Sequence, residues 1–332
     1  MWGAARLRPA STRYEGSALT RGTLLYIAQR GVLIAITALL VSSIVFIGVH
    51  QLPGDALLTE RLLNVDQEKA LLHYYHLDLP WPQQYLIWIG GILHGYLGES
   101  MVNRGVPITP LILREFRVSA TLGLAAITVT VVVGISLGVV AAVRQNTWLD
   151  YVASTSAVIG YSMPNFVWAF LLILLTVTGF YQWTGGMVYE NIGWGRIEQI
   201  PVPALALGLP YAAIVARLTR ASMLEVIRQD YVRTAWAKGL TQRLVITRHA
   251  LRNALIPVVS IIGPLFTAVI TGSVVIETLF GIPGLGKEFV TSIFNRDYNI
   301  VIGVFTAYAL LVGLVNLAVD LIYPLLDPKI RY

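Results

Sequence analysis

Residues 118–143, VSATLGLAAITVTVVVGISLGVVAAV, contain no Asp, Glu, Lys or Arg. As a helix this stretch exceeds the roughly 20 apolar residues needed to cross a hydrocarbon core about 30 Å thick. Five more windows are equally free of these four residue types: 31–54, 151–189, 199–216, 254–276 and 298–319. Each can hold one crossing, so six spans are expected. The window 151–189 could hold almost two, but Gly179, Gly185 and Gly186 with Trp183 and Tyr189 read as an interfacial loop, which leaves one helix to about Phe180. The window 199–216 is the shortest, and its span is expected to run on past Arg217.

Composition agrees with lipid as the solvent. Of 332 residues 56% are hydrophobic and 13% charged, and the mean hydropathy is +0.68, whereas about a quarter of a soluble domain is charged. There is no cysteine, which removes disulfides, thiolate metal sites and thiol nucleophiles. Arg6, Arg8, Arg13 and Arg21 precede an apolar stretch in the manner of a secretory signal. From Gly31 to Val49, however, that stretch is longer than a signal core, and Gln51-Leu-Pro-Gly-Asp55 lacks a small-x-small cleavage pattern. A retained first span is expected.

Lys and Arg set the orientation. With the amino terminus in the cytosol, sixteen of the 24 basic residues fall inside: those of 1–30, Arg144, the cluster in 217–252, Lys329 and Arg331. Five of the remaining eight lie in the long segment 51–117, among seven acidic residues. Both termini are therefore expected in the cytosol. The net charge of +6 follows from this topology; it does not call for a nucleic-acid partner, which would need a basic face on a soluble domain.

Between the spans lie three informative segments. The first, 51–117, is too long for a structureless loop. Its apolar spacing predicts one helix from Arg61 to Tyr75 and, beyond Pro80 and Pro82, another from Gln84 to Leu97. The second, 217–253, carries the densest charge. Met223 to Lys238 lacks Gly and Pro and predicts a helix, Gly239 stops it, and Thr241 is placed to cap a second helix to about Asn253. In this elbow Gln229, Asp230, Arg233 and Thr234 share one side of the first arm, with Ile227, Tyr231, Val232, Ala235 and Trp236 on the other. Such an amphipathic knob suits docking under the membrane, either on a protein or on anionic lipid. The third segment, Glu277 to Asn299, is rich in turns.

Several enzyme-like patterns fail on physical grounds. Gly281 to Lys287 fits the phosphate-loop spacing, but Glu288 stands where a hydroxyl should hold Mg²⁺, Pro283 removes a donor, and the loop is expected outside, away from cytosolic ATP. Ser162 after Gly160-Tyr161 has no histidine base at membrane depth. His73, His76 and Asp78 are spaced as a candidate metal site but lack further ligands. No span interior carries the acidic or basic groups of a proton- or voltage-driven device. The pattern fits a membrane subunit driven by a separate motor. A stand-alone channel or secondary transporter and a membrane-embedded enzyme are the alternatives.

Asp230-Tyr-Val-Arg-Thr-Ala-Trp-Ala-Lys-Gly239-Leu, continuing through His249-Ala-Leu-Arg-Asn-Ala-Leu-Ile-Pro257, resembles the cytosolic signature of the B-type permeases in the dipeptide, oligopeptide and nickel branch of ABC importers. His50-Gln-Leu-Pro-Gly-Asp55, Leu77-Asp-Leu-Pro-Trp-Pro-Gln-Gln-Tyr85, Leu93-His-Gly-Tyr-Leu-Gly98 and Pro283-Gly-Leu-Gly286 are similar to the same branch, so the resemblance covers all but the first 20 or so residues. It departs from importer permeases in general: Arg233-Thr234-Ala235 replace E-A-A, and Arg252 stands where their later proline would be. That variant is typical of the peptide branch.

The resemblance implies an all-α polytopic membrane protein of the plasma (inner) membrane with six transmembrane helices. It further implies a cytosolic helix-Gly-helix coupling elbow and a folded extracytoplasmic segment after the first span. The expected spans are 25–50, 118–143, 153–180, 201–222, 254–276 and 300–323. Cytosolic parts are 1–24, 144–152, the elbow 223–253 and 324–332; extracytoplasmic parts are 51–117, 181–200 and 277–299. Implied partners are a homologous second permease, two cytosolic ATPase subunits or domains and an extracytoplasmic solute-binding protein. ATP and Mg would be used by the ATPases, and this chain would bind no cofactor and perform no catalysis.

The implied function is half of an alternating-access pathway for dipeptides or oligopeptides, with nickel complexes or small oligosaccharides as the other cargoes of the branch. Asp230, Tyr231, Arg233, Thr234, Ala235, Trp236 and Gly239 are the expected ATPase-coupling residues. Ser156, Ser162, Asn165, Thr267 and Thr271 are candidates to line the pathway, because polar side chains avoid lipid, though helix packing would also account for them. Gly281, Gly284, Gly286 and Lys287 are candidates for contact with the binding protein.

Overall fold

The computed structural model describes residues 21–51, 65–186 and 192–326. The start of the amino-terminal segment, the Pro-Gly-Asp turn after the first span, residues 61–64 of the first expected outer helix, Tyr189, Lys329 and Arg331 lie outside them. Among the described residues the chain is helical, its one β-type pairing being an isolated bridge between Glu99 and Pro107. Six helical segments are long and apolar enough to cross a membrane: Gly22–Gln51, Ile108–Val143, Asn165–Thr184, Ile197–Ile227, Gln242–Leu279 and Tyr298–Leu321.

Helix α1 (Arg21–Gln51) lies beside the last helix, α14 (Tyr298–Leu326). The short helices α2 (Val65–Tyr74) and α3 (Trp81–Leu93) follow; α3 starts directly after Pro80, takes Pro82 into its first turn and ends before the expected Leu97. They fold back on α1 and α14, where Trp88 and Met101 pack with Phe46, Val49, Tyr298 and Ile302. Buried Asp297 fixes this unit to α14: it accepts hydrogen bonds from Ser100 Oγ and Val102 N and, as a helix cap, from Ile300 N.

Helix α4 (Ile108–Val143) begins ten residues before the expected second span, directly after extended Pro107. Its added turns are not a charged loop. Ile108, Ile112, Glu115 and Ser119 recur at helical spacing and are buried, while Arg114 and Arg117 turn outward. At the other end α4 meets α8 (Pro201–Ile227), its main packing partner. A Cβ on Gly138 would lie 2.6 Å from Ala216 O and 2.5 Å from Thr219 Cβ. Gly134 and Gly138 thus let two backbones meet, which is how helices associate in lipid, where burial against a neighbour brings no hydrophobic gain. Thr130 Oγ adds a hydrogen bond to Gly208 O at 3.0 Å.

The third span is not the single helix expected over 153–180. It is α5 (Trp148–Ser162) and α6 (Asn165–Leu174), continued by a π turn at Leu175–Gly179 and α7 (Phe180–Thr184). Met163 is extended (φ −92, ψ 130) because the following Pro164 ring excludes the helical conformation there. In the fifth span, α11 (Leu251–Thr271) runs past Pro257 and Pro264 and gives way at Gly272 to α12 (Ser273–Leu279). Helix α13 (Leu285–Asn295) then precedes α14. Helix α8 is central, packed against α4, α5, α6 and α11, and is the most buried of the six spans.

Candidate functional site

The elbow is shaped differently from its sequence reading. Met223 to Lys238 is not one arm: α8 continues to Ile227, Gln229 is extended (φ −71, ψ 148), and a separate helix α9 (Asp230–Ala237) starts there. Asp230 sits in the first turn of α9, where a carboxylate complements the helix dipole. Gly239 ends it with φ +74, the left-handed conformation expected of it. A Cβ there would meet nothing within 4 Å, so the demand for glycine is conformational and not steric. Thr241 holds the N-cap position of the next helix (α10, Gln242–Leu244) but its side chain makes no cap bond. Nor does the second arm end near Asn253; it passes through a π-helical turn at Val245–Ala250 directly into α11.

The faces of α9 follow from that geometry. Val232 and Ala235 are buried within this chain against Val245, with Val226 and Leu240 around them. Ala235 therefore anchors the elbow to the base of the fifth span and is not itself a docking surface. Asp230, Arg233 and Thr234 are exposed, with Arg233 Nη1 3.7 Å from Asp230 Oδ1. Tyr231 and Trp236 remain 43% and 41% exposed although both are large and apolar. Tyr231 is held by Asn253, whose Nδ2 donates to its hydroxyl at 2.8 Å. Trp236 borders a cavity of about 300 Å³ between α9 and the ends of α4 and α8, with Val143, Leu224 and Ile246.

Two turns before the elbow lies a contact the sequence reading missed. Arg220 of α8 donates from Nε to Asp150 Oδ1 at 2.7 Å and from Nη2 to Oδ2 at 2.8 Å. Asp150 is buried at the start of α5 and also accepts from Asn146 N and Ser154 Oγ. The Arg220 hydrogen bonds hold its carboxyl at about 2, below the usual carboxylate range. Asp150 stands at the very edge of a charge-free window, and that isolation was the signal available in the sequence.

The candidate pathway residues are only partly brought together. Ser162 and Asn165 flank the break in the third span and share a cavity of about 300 Å³ with Tyr161, Pro210 and Tyr211. A Cβ on Gly272, next to Thr271, would lie 3.6 Å from Asn165 Nδ2 and 3.2 Å from the Tyr211 hydroxyl. Thr267 instead donates to Asn316 of the last span at 3.4 Å. Ser162 and Thr271 return their hydroxyls to their own helices, at Val158 O and Thr267 O, and Ser156 is exposed on α5.

The loop after the fifth span is organised around a second missed residue, Glu277. Fully buried in α12, it accepts from Ser119 Oγ (2.8 Å), Ser273 Oγ (2.7 Å), Gly286 N (2.7 Å) and Lys287 N (3.1 Å). The amides that a phosphate loop would offer its ligand are occupied here by the chain's own carboxylate at the start of α13. A Cβ on Gly284 would lie 2.5 Å from Glu277 Oε2 and 2.6 Å from Ser119 Oγ, and one on Gly286 2.5 Å from Val274 Cα. Gly284 is thus a buried bend and Gly286 a buried residue in the first turn of helix α13; Gly281 and Lys287 are half-buried, and of residues 281–287 only Pro283 is exposed. Of the candidate metal ligands, His73 and Asp78 pair at 2.9 Å on the surface, but no group of three His, Cys, Asp or Glu that could hold a metal occurs among the described residues.

Six helical segments long and apolar enough to cross a membrane, the third entered through a helix break, define a multi-pass membrane protein. Residues 134–332 match the family described as binding-protein-dependent transport system inner membrane component. The chain belongs to that family, as a permease subunit of an ABC importer in the inner membrane and not as an enzyme. It is 40% identical over 306 residues to the dipeptide transport system permease protein DppB of Bacillus subtilis, covering 92% of this chain and 97% of that one. To the oligopeptide transport system permease protein OppB of Escherichia coli K12 it is 39% identical over 298 residues, covering 89% and 95%. Among solved structures, an inward-facing form of the MetNI methionine ABC transporter matches with a TM-score of 0.55 at 19% identity, over 66% of this chain and 98% of that one. At that identity the likeness concerns the fold.

Proposed function

We propose that this chain forms half of the translocation pathway of a peptide importer, for dipeptides or oligopeptides, and that α9 is its coupling element. The observation that carries the coupling assignment is the exposure of Tyr231 and Trp236 on a helix whose Val232 and Ala235 are locked to the fifth span. A helix built this way transmits a push on its outer face to α11 through packed side chains. In this reading two cytosolic ATPase subunits, which bind ATP and Mg, receive Tyr231, Trp236 and the exposed Asp230, Arg233 and Thr234. A homologous second permease completes the pathway, and an extracytoplasmic binding protein delivers the peptide. Both termini and the elbow then face the cytosol, and Lys287 with Pro283 is the part of its loop that can touch the binding protein.

Within the membrane, Ser162 and Asn165 at the break are the strongest pathway candidates. Irregular backbone at membrane depth is tolerated where it is covered by protein or lines a wet cavity. Ser156, Thr267 and Thr271 have a weaker claim, since none of them lines the cavity at the break.

The test is Tyr231→Ala with Trp236→Ala in the assembled transporter. The doubly substituted chain is expected to insert and melt normally while peptide transport falls at least tenfold and substrate no longer stimulates ATP hydrolysis. Ala235→Glu serves as the contrast: it buries a charge against Val245 and lowers thermal stability before coupling is reached. Normal stimulated ATPase activity in the double variant overturns the assignment.

A further inference from the structure

A cavity of about 320 Å³ lies between the outer end of α1, helices α2 and α3, and the start of α14. Its walls are aromatic: Phe46, Tyr74, Tyr75, Trp88, Tyr96 and Tyr298. Glu99 is the one carboxylate that lines it, and no lysine or arginine does. Glu99 accepts from the Tyr74 hydroxyl at 2.8 Å, and among the described residues no cation pairs with it. That hydrogen bond pushes the Tyr74 phenol up, so it stays a donor, and burial together with the Glu99 charge does the same for Tyr96.

Most other polar groups in the wall are already engaged. His50 bonds Phe46 O and Gln84 Oε1, Tyr75 donates to Ser100 O, and Asn299 Nδ2 donates to Glu99 O. The His76 imidazole in the wall is exposed, and Trp88 lines the cavity through its ring carbons, its indole N–H being buried away from it.

We propose that this cavity binds an organic ammonium group. Aromatic faces attract a cation, and Glu99 supplies the counter-charge. Two sources present that chemistry: the α-ammonium of a small peptide or amino-acid amide, and the ammonium of an ethanolamine lipid headgroup. The lipid source has access, since Leu86, Ile87 and Leu93 leave an apolar edge of α3 exposed beside the cavity. The site stands apart from the elbow and from the break in the third span, so it does not rest on the coupling assignment.

The experiment uses the full chain in phosphatidylglycerol nanodiscs, titrated with glycinamide and followed by saturation-transfer NMR. Native mass spectrometry reads any retained lipid. Glycinamide is expected to bind saturably, at least tenfold more weakly to Glu99→Gln, and neutral N-acetylglycinamide is expected not to bind. Tyr96→Leu, which removes one aromatic wall of the cavity, is expected to weaken ammonium binding about threefold, and this variant decides the matter if Glu99→Gln fails to fold. Binding that survives a change to phosphatidylethanolamine discs identifies a free ligand. Competition by that lipid, or a retained phosphatidylethanolamine mass lost in Glu99→Gln, identifies the headgroup. No saturable binding and no retained lipid, or affinities unchanged in the variants, overturns the proposal.

Discussion

At the scale of single residues, one carboxylate organises the loop that the sequence presents as a phosphate cradle. The glycines at 281 and 284 were legible as turns, whereas Gly286 lies in helix α13; the loop's target was not legible, because Glu277 and Ser119 reach the same point from different spans. Spacing within a segment carries no record of which distant side chain fills the gap. The arrangement makes Gly284 sensitive: an added Cβ drives into the Glu277 carboxylate and Ser119 Oγ. Gly284→Ala is expected to cost about 1–3 kcal/mol through overpacking, read as a lowered Tm of the purified protein. Gly90→Ala is the internal comparison; nothing lies within 4 Å of its added Cβ, and its Tm should stay level or rise slightly because alanine is the better helix former.

At the scale of elements, the spans themselves were the most legible feature, since charge-free length is a direct demand of lipid. Their internal breaks were less so. Pro164 was visible in the sequence, yet Pro210, Pro257 and Pro264 lie inside continuous helices, so proline alone does not announce a break. The elbow was recognisable by charge and by Gly239, whereas its division at Gln229 and its fusion to α11 depend on how Val232 and Ala235 pack. What ties the moving parts together is the Asp150–Arg220 pair between α5 and α8. Asp150→Asn leaves Arg220, whose side chain is 32% exposed, without its counter-charge; a loss of about 2–3 kcal/mol is expected, under the range for a fully buried pair because of that exposure. The pH dependence has a definite sign. A carboxyl held at about 2 when folded, against about 3.9 unfolded, contributes stability above pH 4 that is lost as pH falls through 2. Acid titration of Tm should therefore show a descending limb between pH 4 and 2 that is reduced in Asp150→Asn.

At the scale of the whole molecule, topology is the property that composition fixes most simply and that can be checked most cleanly. The native chain has no cysteine, so a single introduced thiol reports its own side of the membrane. Gln67, Gln229 and Asn295 are all exposed. An impermeant thiol reagent on cells with a permeable outer boundary should label Gln67→Cys and Asn295→Cys and spare Gln229→Cys; the reverse pattern would invert the orientation. Helix α8 sets one more condition on the finished protein. It is the span most enclosed by its neighbours and also the least apolar, with a peak mean hydropathy of 1.5 against 2.8 for α1. A segment made to be surrounded by protein partitions poorly alone, so its entry into the bilayer during synthesis depends on α4, made before it, and on α11, which has yet to be made. A truncated chain ending at Ile227 should leave α8 less often inserted in a glycosylation-mapping assay than the full-length chain, and the cell is left with an interval in which a half-built transporter is open to quality-control proteases.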